Sequence, residues 1–99
     1  MKLLTKDILK KFPKLYETDE VPKDQVKVIA KFFTPDAQCS WFAVEYDGED
    51  TFFGLCDLGM GFPELGYFSL AELQSIRGGL GLPVERDRYF EGTLKDVMD

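Results

Sequence analysis

The sequence predicts one small α+β domain, in which two to three short helices pack on an antiparallel sheet of four to five strands. The chain of 99 residues is long enough for a single domain, spanning residues 1–99, with one core. Hydrophobic residues make up 44% of it and aromatic residues 14%, which supplies that core without metals or disulfides. Helix and strand patterns follow in the order α-β-β-β-β-α-β, which is typical of an antiparallel sheet with helices on one face.

The first predicted element is a short amphipathic helix over residues 5–12. Thr5 is a favourable N-cap, because its hydroxyl can accept a hydrogen bond from a backbone N–H of the first turn. Pro13 ends the helix, since proline has no N–H to donate. Residues 16–24 then form an acidic loop. The apolar face of the helix comprises Ile8, Leu9 and Phe12.

Three strands are predicted in the middle of the chain. Residues 25–33 are rich in β-branched and aromatic side chains that alternate with a period of two. Residues 40–46 and 51–56 form a hairpin, because Asp47-Gly48 between two apolar runs is a strong turn signal. The side chains expected on one face of the first strand are Val26, Val28, Ala30 and Phe32.

A turn centred on Gly48 and Glu49 sets the predicted register of the hairpin. The resulting pairs are Glu45 with Phe52, Ala43 with Gly54, and Trp41 with Cys56. The face expected to join the core carries Phe42, Val44, Tyr46, Phe53 and Leu55. The opposite face carries Trp41, Ala43, Glu45, Phe52 and Cys56.

The next elements are a loop, a strand and a helix. A glycine-rich loop over residues 57–63 leads into a short strand over residues 65–68. Ser69 and Glu72 have the spacing of a capping box, in which each side chain satisfies a backbone donor of the other residue. They open a helix that runs to about Arg77, and the glycine after it ends the helix.

The last predicted strand spans residues 84–90, and residues 93–99 follow as a frayed terminal turn. Charges alternate along this strand, which is typical of a protected sheet edge. Arginine and tyrosine are equally favoured at binding hot spots, so both interpretations of the strand stay open. The carboxylates point to one face and the guanidinium groups to the other, the four residues being Glu85, Asp87, Arg86 and Arg88.

The charge distribution limits the classes of partner. The formal net charge is −6, which disfavours a general nucleic-acid binder, since such proteins carry a basic excess. Residues 1–16 are the exception, with a net charge of +4 from five lysines and one aspartate. These cations form either a solvated helix face or a small basic patch on an acidic body. The lysines are Lys2, Lys6, Lys10, Lys11 and Lys14.

The sequence lacks the residue pattern of several common catalytic sites. There is no histidine, which excludes Ser-His-Asp and Cys-His catalysis and most catalytic zinc sites. In the predicted register, Cys39 and Cys56 are too far apart for an unstrained disulfide, so we expect two reduced, half-buried thiols. We therefore assign no catalytic residue, cofactor or metal ligand.

The sequence also predicts no association with a membrane. No run approaches the ~18 apolar residues that span a bilayer. Charges interrupt residues 1–11 too early for the apolar core of a signal peptide. We therefore expect a cytoplasmic protein.

Several segments of the chain form a set that is found together in one known family. They are Lys31-Phe-Phe-Thr-Pro35, Trp41-Phe42, Phe53-Gly-Leu55, Glu64-Leu-Gly-Tyr-Phe-Ser-Leu-Ala-Glu-Leu73 and Gly81-Leu-Pro-Val-Glu-Arg-Asp-Arg-Tyr-Phe90. With these segments the chain resembles the domain-of-unknown-function family 2958. The resemblance covers nearly the whole chain in order, and the opening Met1-Lys-Leu-Leu-Thr-Lys6 is also similar. It implies a protein of bacterial conjugative and phage-like mobile elements, with no established activity and no catalytic residues to carry over.

Three surfaces are candidates for binding a partner. The second face of the hairpin is core if a helix covers it and an apolar patch if it is open. The acidic loops are either solvated or present negative charge to a basic partner, in the extreme as a mimic of the nucleic-acid backbone. The last strand is the third. The residues assigned to these surfaces are Trp41, Phe52, Glu45, Asp47, Glu49, Asp50, Arg86, Arg88 and Tyr89.

We therefore expect a non-enzymatic module that binds a host or element-encoded protein through an acidic and aromatic surface. Small accessory proteins of mobile elements often bind host proteins, so its most concrete form is an inhibitor of a host defence complex of CRISPR or restriction type. The alternative is an accessory factor for element transfer or replication that contacts nucleic acid through the basic N-terminal helix. An enzyme of unknown chemistry is the third class.

Overall fold

The computed structural model describes residues 3–98, which form one five-stranded sheet and three short helices. The strands pair antiparallel throughout, in the order β4-β3-β2-β1-β5. This confirms the predicted α+β class. The strands are β1 (Ala30–Phe33), β2 (Ser40–Tyr46), β3 (Thr51–Asp57), β4 (Glu64–Ser69) and β5 (Glu85–Asp87). The helices are α1 (Lys6–Leu9), α2 (Leu70–Ser75) and α3 (Leu94–Met98).

Both faces of the sheet carry a hydrophobic cluster, so the prediction of helices on one face only is wrong. The N-terminal segment and α2 cover the first face, while α3 and residues 26–28 cover the second. Two covers are needed because apolar side chains alternate to both sides of β2 and β3. The first cluster is built around Phe32, Trp41, Ala43, Tyr46, Phe52 and Leu73. The second cluster contains Val26, Val28, Val44, Leu55 and Leu94.

The strand predicted over residues 25–33 divides into two parts. Val26 and Val28 belong to the second cluster, whereas Ala30 and Phe32 belong to the first, so the four do not share one face. The two parts differ because residues 26–28 pair with the chain near Gly92, whereas residues 30–33 pair with β2. The backbone N–H of Val28 donates to the carbonyl of Gly92 at 2.9 Å, before pairing of the chain with β2 begins.

The β2–β3 hairpin follows the predicted register up to a bulge. Ala43 pairs with Gly54 and Trp41 with Cys56, as predicted. Beyond Ala43 the register shifts by one residue, so that Glu45 pairs with Phe53 rather than Phe52. A bulge inserts an unpaired residue and reverses the faces of the side chains that follow it. Glu45 consequently lies on the second face.

The same bulge places Tyr46 on the first face, whereas the prediction placed it on the other face together with Phe42 and Val44. Tyr46 pairs with Phe52, and their rings stack with centroids 4.5 Å apart. Phe12 adds its ring at 5.6 Å from Tyr46 and 5.7 Å from Phe52. The first face is thus closed at the hairpin end by aromatic packing.

The N-terminal helix is shorter than predicted. Thr5 caps it as expected, since its hydroxyl oxygen accepts the N–H of Ile8 at 3.4 Å. The helix ends at Leu9, whose side chain is exposed, and only Phe12 of the predicted apolar face packs on the first cluster. With four residues the helix presents too little length for a continuous apolar stripe.

The helix after β4 begins where predicted and ends two residues early. The hydroxyl oxygen of Ser69 accepts the N–H of Glu72 at 3.2 Å. Ile76 is already extended, with φ of −71° and ψ of 138°. Arg77 then forms an antiparallel bridge with Pro83, which draws the chain away from helical geometry.

The predicted frayed terminal turn is a capped helix, α3. The N–H of Thr93 donates to the carboxylate of Asp96 at 2.8 Å, and the N–H of Asp96 donates to the hydroxyl oxygen of Thr93 at 3.3 Å. This reciprocal pair is a capping box, with aspartate in the place of glutamate. Leu94 is buried in the second cluster. Asp99 lies outside the described residues.

Two further expectations concern the cysteines and the membrane. Cys39 and Cys56 are both free thiols of intermediate burial, as predicted. Burial raises the pKa of the Cys56 thiol, and the nearby carboxylate of Glu64 adds to this effect. Across residues 3–98, every helix is too short to cross a bilayer.

Candidate binding surfaces

The aromatic surface predicted on the hairpin is part of the core. Phe52 has no exposed surface and Trp41 is 6% exposed. Both belong to the first cluster, which Leu73 of α2 and Phe12 help to cover. The structure therefore follows the first of the two alternatives, in which this face of the hairpin is covered and belongs to the core.

Glu45 is also buried, and it anchors a loop. Its side chain is 1% exposed on the second face. One carboxylate oxygen accepts the N–H of Tyr16 at 2.9 Å, and the other accepts the N–H of Thr18 at 2.9 Å and the Thr18 hydroxyl. A buried carboxylate needs such donors, and the loop backbone needs such acceptors. The carboxylate of Glu45 is therefore covered and engaged by the loop backbone.

Asp50 connects the hairpin turn to the start of α2. Its carboxylate accepts the N–H of Ala71 at 2.8 Å and the hydroxyl of Ser69 at 2.5 Å. Its carbonyl oxygen accepts the N–H of Leu70 at 2.8 Å. A carboxylate at this position satisfies the unpaired N–H groups of the first helical turn and interacts favourably with the helix dipole. The hydrogen-bonding groups of Asp50 are thus engaged within the fold.

Asp47 holds the hairpin turn itself. One carboxylate oxygen accepts the backbone N–H groups of Glu49, Asp50 and Thr51 at 2.8, 2.9 and 3.0 Å. These hydrogen bonds to the charged form lower the pKa of Asp47. Glu49 is exposed and its side chain forms no hydrogen bond or ion pair within residues 3–98. Three of the four carboxylates named for the acidic surface, Glu45, Asp47 and Asp50, are therefore held by hydrogen bonds within the fold, and Glu49 is open.

The lowered pKa of Asp47 predicts a loss of stability in acid. A depressed folded pKa stabilises the protein above the unfolded value of about 4 and ceases to do so as the pH falls through the folded value. We expect Asp47→Asn to lower the melting temperature at pH 7, with a difference from wild type that shrinks below about pH 4. Thermal melts from pH 7 to pH 2.5 measure this difference. A constant difference over that range would contradict the role of the charge, and Glu49→Gln is the matched control.

The third predicted surface, the last strand with Arg86, Arg88 and Tyr89, lies at the edge of the sheet. β5 is an edge strand, and Arg86 lies on the first face, opposite to Asp87, as the alternation predicts. Arg88 and Tyr89 follow the strand and are exposed. A cleft of about 350 Å³ opens beside them, between α1, the start of β1 and the chain after β5. The residues lining it include Ile8, Lys11, Lys27, Val28, Arg86, Asp87, Arg88, Tyr89, Phe90 and Glu91.

Within residues 3–98, the cations of this cleft form no ion pair with a carboxylate at 4.0 Å or less. Among residues 3–98, the ion pair within 4.0 Å joins Lys31 to Asp87, and it leaves out every cation of the cleft. Arg86 donates from Nη1 to the carbonyl of Leu3 at 3.1 Å. Its Nε is buried and has no hydrogen-bond partner within residues 3–98. Burial lowers the pKa of Arg86, and the positive charge of Arg88 lowers it further.

Sequence reasoning missed a second surface, at one end of the sheet. The loops before β4 and before β5 expose five large apolar side chains there. Met60, Phe62 and Leu80 are the most open, at 73%, 84% and 83% exposed, and Leu58 and Leu82 accompany them. The signal in the sequence was apolar residues at alternate positions of a glycine-rich loop, where polar residues are the norm.

The β1–β2 loop, residues 34–39, holds both of these loops. The carboxylate of Asp36 accepts the N–H of Leu80 at 2.6 Å and that of Leu82 at 3.4 Å. On the other side, the Cys39 thiol donates to the carbonyl of Leu58 at 3.8 Å. The apolar residues are thus fixed at the same end of the molecule. We call the five residues Leu58, Met60, Phe62, Leu80 and Leu82 the apolar end.

The possible metal ligands of the described residues lie apart from one another. Across the part of the chain that the structure describes, no three cysteine, aspartate or glutamate side chains converge on one point where an ion would be held. The surfaces that the structure leaves open for a ligand or partner are the cationic cleft and the apolar end.

These features define a small α+β domain with a cationic cleft at one sheet edge and an apolar end made of loops. The chain belongs to the DUF2958 family of proteins of unknown function, whose family model matches residues 3–96. This confirms the resemblance noted in the sequence. Neither the curated proteins nor the solved structures give a significant match to the chain.

Proposed function

We propose that the chain is a non-enzymatic, cytoplasmic module that binds a protein partner through the apolar end. The observation that carries this proposal is the exposure of five large apolar side chains on two loops of one small domain. Leaving such side chains in water is unfavourable, and clusters of them mark binding sites in soluble proteins. Methionine and phenylalanine, both present here, are enriched at the centres of protein interfaces.

The hydrogen bonds that hold these loops also support a binding role. A loop that is already ordered loses less conformational entropy when it binds. The carboxylate of Asp36 is hydrogen-bonded to the loop that carries Leu80, and it packs against Gly78. In the loop that carries Met60, the N–H of Gly59 donates a hydrogen bond to the carboxylate of Asp57 at 2.9 Å. Both loops therefore present their apolar side chains from fixed backbones.

The setting implied by the family resemblance gives the proposal its most concrete form. In a bacterial mobile element, the partner we propose is a host defence complex of CRISPR or restriction type. Such complexes bind nucleic acid and carry basic surfaces for that purpose. The net charge of −6 would steer this chain towards a basic surface, while the apolar end supplies the buried contact.

Affinity capture from a native host tests the proposal. We expect the triple variant Met60→Ser, Phe62→Ser, Leu80→Ser to retain about a tenth or less of the partner that wild type retains, because apolar anchors dominate interface energies. Its melting temperature should change little, since the three side chains are exposed. The control is Leu9→Ser, which removes an exposed leucine of α1.

Three outcomes would contradict the proposal. The first is equal capture by wild type and the triple variant. The second is an equal loss of capture by Leu9→Ser. The third is a stable homodimer that the triple substitution converts to a monomer, measured by light scattering, since the apolar end would then be a contact between copies of this chain.

The alternative function is contact with nucleic acid through the basic N-terminal segment. The lysines at 6, 10, 11 and 14 are all exposed, whereas Lys2 lies outside the described residues. Binding of this kind shifts DNA or RNA at low salt and weakens steeply as salt rises. A salt-dependent shift that is lost when these four lysines are replaced by glutamine would favour the alternative over a protein partner.

A further inference from the structure

We propose that the cleft beside β5 binds a small phosphate-bearing molecule, held chiefly by Arg86 and Arg88. This site is separate from the apolar end, and the inference goes beyond the proposed protein-binding function. Four cations from three segments of the chain meet at the cleft: Lys11, Lys27, Arg86 and Arg88. The planar guanidinium group matches a phosphate with two parallel hydrogen bonds, and lysines add charge around it.

The size of the cleft suits a small ligand. Its volume of about 350 Å³ falls within the usual range for small-molecule sites, about 300–1,000 Å³. Apolar groups of Ile8, Val28 and Phe90 line it beside the cations, so that it offers contacts for the remainder of a ligand as well as for its phosphate. A small-molecule site combines a few placed polar groups with such apolar walls.

The fold uses the side chain of Arg86 only in part. Its Nη1 donates to the carbonyl of Leu3, while its Nε is shielded from water and has no acceptor within residues 3–98. Because the Nε is closed to the cleft, an anion there would contact other atoms of the guanidinium group that lines it. An anion at this position would also relieve the repulsion between Arg86 and Arg88.

The charge of the cleft differs in sign from that of the molecule. Four cations and two carboxylates line it, which gives the lining a net charge of +2 in a chain of −6. One of the two carboxylates, Asp87, is already engaged by the N–H of Tyr89 at 3.0 Å and by Lys31 at 4.0 Å. The basic N-terminal segment borders the cleft, but the chain as a whole carries −6 and repels a long polyanion, whereas a small dianion needs only the local positive field. The geometry therefore favours a small molecule over a nucleic acid.

A titration of the ¹⁵N-labelled protein with inorganic pyrophosphate tests the site. We expect saturable chemical-shift changes at residues 27–30 and 86–91 with up to about 5 mM pyrophosphate. Arg88→Gln should weaken binding roughly tenfold, because a hydrogen bond to a charged group is lost. Arg88 is exposed, so this change leaves the fold intact. The matched control is Lys95→Gln, which removes an exposed cation outside the cleft and should leave binding unchanged.

The outcomes separate this inference from its competitors. It is overturned if pyrophosphate causes no saturable change, if the changes lie elsewhere, or if Lys95→Gln weakens binding as much as Arg88→Gln. A single-stranded oligonucleotide of twelve residues is titrated in parallel. If it binds the cleft more than about tenfold tighter than pyrophosphate, the ligand is a nucleic-acid backbone and the small-molecule inference fails. The triple variant of the apolar end should bind pyrophosphate like wild type, so the two proposals fail independently.

Discussion

Replacement of Gly54 by alanine is expected to lower the free energy of unfolding by about 3 kcal/mol or more. Gly54 lies in β3 opposite Ala43, next to the bulge in β2. A Cβ atom there would overlap the carbonyl oxygen of Phe42 and lie 3.1 Å from the Cα of Ala43. Both obstacles are backbone atoms of the central strand, so no side-chain rotation can make room. A loss of this size is a large part of the 5–15 kcal/mol that stabilises most domains.

The neighbouring strand supplies the control for this substitution. Gly66 of β4 pairs directly with Gly54, and a Cβ at Gly66 would meet nothing within 4 Å. Gly66→Ala should change the free energy of unfolding by no more than about 0.5 kcal/mol. Urea unfolding of both variants measures the difference. Similar stabilities for the two alanine variants would contradict the close approach of β2 to Gly54.

Replacement of Glu45 by alanine is expected to cost about 2–3 kcal/mol and to release the loop it holds. The substitution removes the acceptor for the N–H groups of Tyr16 and Thr18 and for the Thr18 hydroxyl. Tyr16 has a φ of +73°, a conformation that a non-glycine residue adopts only where neighbouring contacts stabilise it. Without Glu45 the loop loses those contacts. Urea unfolding gives the cost, and amide exchange at Tyr16 and Thr18 reports the release.

Glu49→Ala is the matched control for Glu45→Ala. Both residues are glutamates of the hairpin, but Glu49 is exposed and accepts none of these hydrogen bonds. Its removal should cost less than about 0.5 kcal/mol. Glu45→Gln keeps one acceptor oxygen but loses the charge. We expect its loss of unfolding free energy to lie between those of Glu45→Ala and Glu49→Ala. Unchanged amide exchange at Tyr16 and Thr18 in Glu45→Ala would show that the carboxylate does not hold the loop.

The buried position of Glu45 shows where local sequence patterns cease to predict structure. The run from Trp41 to Tyr46 alternates in a way that fits a regular strand, and nothing in it indicates the bulge. A shift of one residue then moves Glu45 from one face to the other. By contrast, the register at Trp41 and Ala43, the cap at Thr5 and the start of α2 rest on local chemistry and were predicted correctly.

The other differences between prediction and structure have two different origins. Thr93 and Asp96 carry a capping signal that the sequence displays, and recognising it would have predicted α3. The cationic cleft carries no such signal, because Lys11 and Arg86 are distant in sequence. They line one cleft because β5 returns to pair with β1 at the edge of the sheet and the N-terminal segment packs beside it, where Arg86 binds the carbonyl of Leu3. Long-range strand order of this kind is not written in any local pattern.

The most direct test of the central claim is site-specific photo-cross-linking in the native host. A photoreactive phenylalanine analogue replaces Phe62 at the apolar end or, as the control, Leu9 of α1. The protein-binding proposal predicts one dominant cross-linked partner protein from position 62 and none from position 9. Cross-linking from position 9 with equal yield, or to the chain itself alone from position 62, would contradict it.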